Sequence, residues 1–408
     1  MKVKISIYAT LKNREMKLTI ILRQKKTIQI AGATIGILLV FAFVFAYITN
    51  TRQQITAFIQ GEKQLQEKLN QVSSELGNLK NEDQYKINQG LEEEIKNINT
   101  TYQSAVDSYE NLLKLKEKTN KTSKLDELFT NILIFLSKRN FATASAVLAD
   151  LNKQLQAEED KIAASFEIPK EISVQNEAPG PGYRRQQVET DAGTFLVSII
   201  AADLGSTRVI VDTASDSTCA NDCPVLPLSD YVSRNGAFAG INGSYFCPAE
   251  YPGCAGKTNS FDTLLMNKNK VYFNSDNNVY SSVPAVIFGS GWIRFVASSS
   301  DWGRDTSIDS MIANQGLLVF NSQITFSGDG DPKKGSKGAR SFIANKGNTV
   351  YIGIVHNATV AESARVMHVL GMDNALNLDD GGSTALWSGS YKVGPGRNLP
   401  NVILFVRK

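Results

Sequence analysis

A Pro- and Gly-rich stretch, EIPKEISVQNEAPGPGY, divides this chain into two parts whose apolar periodicities are incompatible with a single fold type. Pro169, Pro179 and Pro181, with Gly180 and Gly182, break any helix through residues 166–183, which therefore read as a linker. Before it, apolar residues recur at helical spacing. After it, they come in short β-branched runs bounded by Gly, Asn, Asp and Ser.

The first part reads as helix. Ile55, Phe58, Leu65, Leu69, Val72, Leu76 and Leu79 alternate spacings of three and four, interrupted only by Glu62, which is the pattern of a coiled-coil seam. Leu91, Ile95, Ile98, Tyr102, Ala105, Tyr109 and Leu112 resume it after a skip near Gly90. The spacing predicts an α-helical coiled-coil stalk over 52–121, formed between chains as a homo-oligomer or by folding back on itself. Two shorter amphipathic helices follow over 122–165, with Leu125, Leu128, Phe129, Ile132 and Leu136 on one and Phe141, Ala144, Val147, Leu148 and Leu151 on the other, a pattern that predicts a helical hairpin acting as a spacer.

Upstream, Thr27 to Thr51 carries no charged side chain between Lys26 and Arg52. About 20 apolar residues cover the hydrocarbon core of a bilayer, so this run predicts a single transmembrane helix over 27–51 and membrane contact through it. The basic residues of the 1–26 tail face the single acid Glu15, and this bias puts the N-terminus in the cytoplasm and the C-terminal domain in an extracellular or periplasmic space. A net charge of +3, much of its positive excess in that tail, gives no reason to expect a nucleic-acid partner.

Cys219, Cys223, Cys247 and Cys254 all fall in the second part. Outside the cytoplasm they predict two local disulfides, with three connectivities open; a zinc site is the rival reading of the same spacing. The runs Thr194–Ala201, Arg208–Val211, Ala285–Phe288, Gly316–Phe320, Thr349–Val355 and Val402–Val406 predict strands, and Thr359-x-x-Glu362 has the spacing of a capping box opening a helix that runs to Gly371. The expected fold class is α+β, with a strand-rich globular domain over 184–408 and few helices in it.

Three clusters in that domain combine glycine with polar side chains. Gly240-Ile-Asn-Gly-Ser-Tyr-Phe246 lets a backbone approach a ligand closely beside an amide that can both donate and accept. Lys337-Gly-Ala-Arg-Ser-Phe-Ile343 sets Arg340 at a strand edge among lysines, suited to an oxyanion. It lacks the Gly-Lys-Ser/Thr order of a nucleotide-binding loop, and Asp329 and Asp331 lack the later ligands of a calcium loop. Ala375-Leu-Asn-Leu-Asp-Asp-Gly-Gly-Ser-Thr384 delivers two carboxylates into a Gly-Gly turn. Strand alternation would aim Asp379 and Asp380 at opposite faces, one to act on a substrate and one to orient it.

These three clusters in this order, followed by Arg397-Asn-Leu-Pro-Asn-Val402, resemble the phosphodiester glycosidase family, the uncovering-enzyme-like hydrolases, over roughly residues 185–408. The resemblance implies cleavage between a sugar's anomeric carbon and a phosphodiester oxygen, on a glycan or sugar-phosphate substrate. It places Asp379 as base, nucleophile or electrostatic support, Arg340 on the departing phosphate, and Asn242 with Ser383 and Thr384 on sugar hydroxyls. Gly243, Ser244, Ser341, Asp380, Gly381 and Gly382 belong to the same motifs and are expected to line the substrate site. His356, following a strand, and Asn401, near the last one, are expected to border it. Asp380 is an added carboxylate relative to the family pattern and is expected to repel a phosphate. No cofactor and no metal ligand set is implied, and a divalent cation is left open. A non-catalytic glycan-binding or cell-envelope scaffold protein is the alternative; a peptidoglycan enzyme of another chemistry would need a triad or zinc pattern that is not visible.

Overall fold

The computed structural model describes residues 4–81, 83–276 and 282–408, with side chains described from Gly36 onward apart from Ile37 and Asp83. The chain falls into two units, Met1–Ile95 and Lys96–Lys408.

Helix α1, Lys4–Asn81, is uninterrupted. It corrects the expectation of a membrane span. The side chains of the 1–26 tail and of Thr27–Ile35 lie outside the described residues. Among the described residues no helix is long and apolar enough to cross a membrane. The transmembrane helix over 27–51, and with it the single-pass localisation, therefore do not stand. Farther along α1, Ile55, Phe58, Leu65, Leu69, Val72, Leu76 and Leu79 are exposed.

Helix α2, Asp83–Lys116, leaves Leu91 and Ile95 exposed but buries Ala105, Leu112 and Leu115. Those residues pack on Leu125, Ile132 and Leu136 of α3, Ser123–Ser137, and on Ala144, Leu148 and Leu151 of α4, Phe141–Ala164. Tyr109 stacks on Phe129 with ring centroids 4.8 Å apart. The second apolar run thus finds its partner within the same chain.

Among the described residues the strands beyond the linker form three antiparallel sheets. The seven-stranded sheet has Gly193–Asp203, Thr349–Ala358 and Gly338–Lys346 at its centre, followed by Asn374–Asn377. Strand Gly193–Asp203 reads Phe-Leu-Val-Ser-Ile-Ile-Ala-Ala because both its faces are covered, and all eight of those residues are buried. A five-stranded sheet contains Ala239–Asn242 beside Asn401–Arg407, and a second has Ser310–Ala313 beside Ala285–Gly289. Ile200, Ile343 and Ile352 of the first sheet, Ile241 and Ile403 of the second and Val286 and Ile312 of the third meet in one apolar core.

The other face of the large sheet is covered by the helix Val360–Val369, whose Ala364 and Met367 pack on Phe342 and Val355. Its start is fixed by a capping box: the Thr359 hydroxyl accepts from the Glu362 amide at 3.1 Å and the Glu362 carboxylate accepts from the Thr359 amide at 2.7 Å. The cysteines pair as Cys219–Cys223 and Cys247–Cys254, which settles the connectivity and leaves no thiol for the zinc alternative. Disulfides of this kind persist in oxidising compartments.

Thr359→Ala should lower stability by about 1 kcal/mol, the usual cost of a lost N-cap, with the urea midpoint reduced and the slope of the transition unchanged.

Candidate active site

Four segments converge where the large sheet meets the sheet containing Ala239–Asn242. Asn377 pairs with Phe342 across one sheet, and Asn242 pairs with Val402 across the other. The Leu378 amide donates to the Ser341 carbonyl at 2.9 Å, and the Asp379 amide donates to the Gly243 carbonyl at 2.8 Å, so residues 378–379 stitch the two sheets together. Gly243 is required there, because a Cβ at that position would lie 1.9 Å from the Asn401 amide oxygen.

Asn242 is fully buried and acts as a cross-brace. Its Nδ2 donates to the Asp379 carbonyl at 2.6 Å, and its Oδ1 accepts from the Ser341 hydroxyl at 3.0 Å and the Ala385 amide at 3.1 Å. Asn401 does similar work one layer down, accepting from the Ser244 amide at 2.9 Å. Neither amide faces a ligand; both hold backbone.

The strand ends at Asn377, so strict alternation no longer governs the next residues, and Asp379 and Asp380 line the same cavity, contrary to the opposite-face expectation. Their environments separate them. Asp380 Oδ1 accepts from the Ser341 amide at 3.0 Å; its Oδ2 accepts from Arg340 Nη1 at 3.1 Å, the Tyr245 hydroxyl at 3.1 Å and Asn377 Nδ2 at 3.0 Å. Arg340 is equally committed, donating also to the carbonyls of Ala358 at 2.9 Å, Lys333 at 3.1 Å and Ser336. The guanidinium is 4% exposed and serves as counterion and backbone clamp. The added carboxylate is therefore neutralised in place and does not stand free to repel an anion.

Asp379 is the free member. Burial, reinforced by the neighbouring Asp380 charge, raises its carboxyl to about 7, against a smaller lowering by hydrogen bonds from Ser383 and the Asp380 amide. A buried carboxyl that titrates near neutrality, in a cleft, is the type of group that transfers protons. Burial and the two carboxylates push the Tyr245 phenol upward, so it donates to Asp380 as a neutral hydroxyl.

The cavity above these groups has a volume of about 680 Å³. Of the residues expected from sequence, Arg340, Asp379, Asp380, Gly381 and Gly382 line it. Asn242, Gly243, Ser244, Ser341, Ser383, Thr384 and Asn401 are buried beneath it. The Ser383 hydroxyl is turned to Asp379 and to Arg397, 3.4 Å away, so it is not presented to a sugar. His356 is not part of the lining. It bonds to the Ser198 hydroxyl at 2.9 Å and stacks on Phe166, and burial with the nearby Arg185 charge lowers its pKa to about 4. Among the described residues no cluster of acids, histidines or thiols is placed to hold a metal.

Other residues of the lining carry no expectation from sequence. Arg397 sits with its guanidinium over the Tyr251 ring, 5.4 Å from the centroid, and pairs with Glu117. Tyr251 is carried on the loop closed by the Cys247–Cys254 disulfide. Glu110 and Lys114 come from α2, Glu117 comes from the turn just after it, and all three line the cavity. Tyr245 and Arg397 lie inside the motifs already singled out, whereas the α2 residues have only their spacing: Gln103, Asp107, Glu110, Lys114 and Glu117 repeat at four and three, a polar stripe beside the apolar one.

Residues 235–406 match the family model described as phosphodiester glycosidase, the family that the motifs resembled, which supports a glycosidase-type function. No curated protein matches the chain. Among solved structures, the chain is similar to the catalytic domain of zebrafish N-acetylglucosamine-1-phosphodiester alpha-N-acetylglucosaminidase auto-inhibited by its pro-peptide, at 15% identity over 58% of this chain and 87% of that one, TM-score 0.43. It is similar to a hypothetical protein from Synechocystis at 14% identity over 55% of this chain, TM-score 0.40, and spans 62% of that protein's length. A putative exported protein from Burkholderia pseudomallei is 12% identical over 52% of this chain and 74% of its own, TM-score 0.34.

Replacing Arg340 with Met would leave Asp380 as an uncompensated buried charge, and urea denaturation should show a loss of about 3–5 kcal/mol. The Asp379 carboxyl gives an independent signature. Its folded value of about 7 lies above its ordinary 3.8, so the native state binds the extra proton between those limits and stability falls as pH rises through that window. Asp379→Asn should flatten that part of the stability–pH curve.

Proposed function

We propose that the 96–408 unit hydrolyses the bond between the anomeric carbon of a sugar and a phosphodiester oxygen, in a glycan or cell-surface polymer. One observation carries this reading: Asp379, which has no ion pair among the described residues, lines the cavity with a carboxyl that burial raises to about 7. A phosphate monoester leaves readily, so the reaction needs a base for water and a cation for the departing charge more than it needs a strong acid. Asp379 as carboxylate takes the proton from water; the water oxygen bonds to the anomeric carbon; the carbon–oxygen bond to phosphate breaks, and the phosphomonoester leaves with the electron pair.

Arg340 is committed to Asp380 and three carbonyls, so the leaving-group role assigned to it from sequence passes to Arg397. That guanidinium touches Ser383, which in turn bonds to Asp379. Its present partner, the Glu117 carboxylate, would yield to the phosphate. The Glu117–Arg397 pair is also what favours the second reading, a glycan-binding protein whose anion site is closed to chemistry. For the exposed seam Ile55–Leu79 we propose a second copy of this chain as partner, since seven apolar residues on one helical stripe need a matching helix.

The test is release of reducing sugar and phosphomonoester from a sugar-1-phosphodiester. The wild type should turn over with an acid limb near pH 7, because the base form appears as pH rises through the Asp379 value. Asp379→Asn should reduce kcat about 10²–10⁴-fold, the range for loss of a general base. Binding of the substrate without release at any pH would leave the scaffold reading in its place.

A further inference from the structure

The wall that α2 adds to the cavity holds a cation without a counterion. Around the cavity, Arg340 pairs with Asp380, Arg397 with Glu117, Lys334 with Asp329, Lys337 with Glu362, Lys118 with Glu159 at 3.5 Å and Lys333 with Glu110 at 3.5 Å. Lys114 has no ion pair among the described residues; its Nζ donates to the Ser336 hydroxyl at 3.1 Å. It lies on the cavity lining, with Lys333 and Lys337 also on that lining and Arg340 below.

We propose that Lys114, with the Ser336 hydroxyl and Lys333 beside it, forms a subsite for a second phosphate, so that the preferred substrate carries another phosphate beyond the scissile one. This deepens the reading given above and rests on it for the identity of the reaction, though not for the binding of the second anion.

Three observations point the same way. First, an unpaired ammonium shielded from water and surrounded by like charge is costly, and an anion is the group that relieves it. Burial, opposed by Glu159 and with Arg340, Lys118 and Lys333 adding to it, lowers Lys114 to about 8. Second, Lys114 is held in place by contacts that α2 and its neighbours make with the strand-rich part. Glu110 accepts from the Gly253 amide at 2.9 Å, Lys118 donates to the Lys337 carbonyl at 3.3 Å, and Asn357 donates to the Ala163 carbonyl of α4 at 2.9 Å. Third, the cation of the subsite comes from α2, outside the 235–406 segment that matches the family model. The α2 residues would thus set which substrate this chain takes, while the strand-rich segment supplies the reaction.

Binding, read by calorimetry, tests the subsite without requiring turnover. Glucose 1,6-bisphosphate should bind the full-length wild type about 10–100-fold more tightly than glucose 1-phosphate, the range for one charge-assisted contact. Lys114→Met should erase that preference, and Lys114→Gln should do the same; a thermal melt of each variant confirms that it is folded. Equal affinity for the two sugars in the wild type, or a preference that both variants retain, would overturn the proposal. Inorganic phosphate binding as tightly as the bisphosphate would also overturn it, since the site would then be one for free anions. Failure of the proposed reaction shows elsewhere, as no release of phosphomonoester from a sugar-1-phosphodiester.

Discussion

The Asp380 carboxylate holds the site together. It ties the strand carrying Arg340, the loop after Asn242 and the turn after Asn377 to one side chain, through Arg340, Tyr245, Asn377 and the Ser341 amide. A buried carboxylate is expensive unless its lone pairs are filled, and here four donors fill them. The consequence is a rigid floor. Asn242, whose amide brackets Ser341, Ala385 and the Asp379 carbonyl, extends that floor into the second sheet.

A floor of this kind lets two adjacent acids behave differently. Asp380 receives the charge-assisted bonds and so serves as an anion within the structure. Asp379 receives its neighbour's amide and the Ser383 hydroxyl but has no ion pair among the described residues, and burial raises it to about 7. Neighbouring carboxyls in different surroundings are a recurring way to divide roles within one site. The same logic sets Arg340 apart from Arg397: a guanidinium that satisfies a buried carboxylate and three carbonyls is structural, whereas Arg397 lines the cavity with Glu117 as its ion-pair partner.

Much of this was legible in the sequence. The strand-rich texture, the capping box at Thr359 and the three glycine-and-polar clusters are local patterns, and each cluster does reach the site or its floor. What local pattern does not contain is the identity of a distant partner. Whether Asp379 or Asp380 stays free depends on a phenol 135 residues away and a guanidinium 40 residues away, and no spacing rule encodes either. Asn242 and Asn401 look like ligand-binding amides until their donors and acceptors are seen to be taken by backbone and by Ser244 and Ser341. His356 read as a site residue because it follows a strand, yet that strand end faces Ser198 and Phe166.

The helices before the linker carry two patterns. An apolar seam on α2 was visible, and it buries Ala105 and Leu112 against α3 and α4 of the same chain, one of the two arrangements that the spacing left open. Once that seam is turned inward, the stripe displaced along the helix from Gln103 to Glu117 must face elsewhere, and it faces the cavity. A helix packed on one side by leucines and open on the other to a cleft needs two heptad stripes of different chemistry. Both are present in the sequence, the second written in Asp, Glu and Lys. Glu117, at the end of that stripe, pairs with Arg397, and its lysine, Lys114, has no ion pair among the described residues. The charge pattern of one short helix face thereby determines which positions in the cleft are already neutral and which still attract an anion.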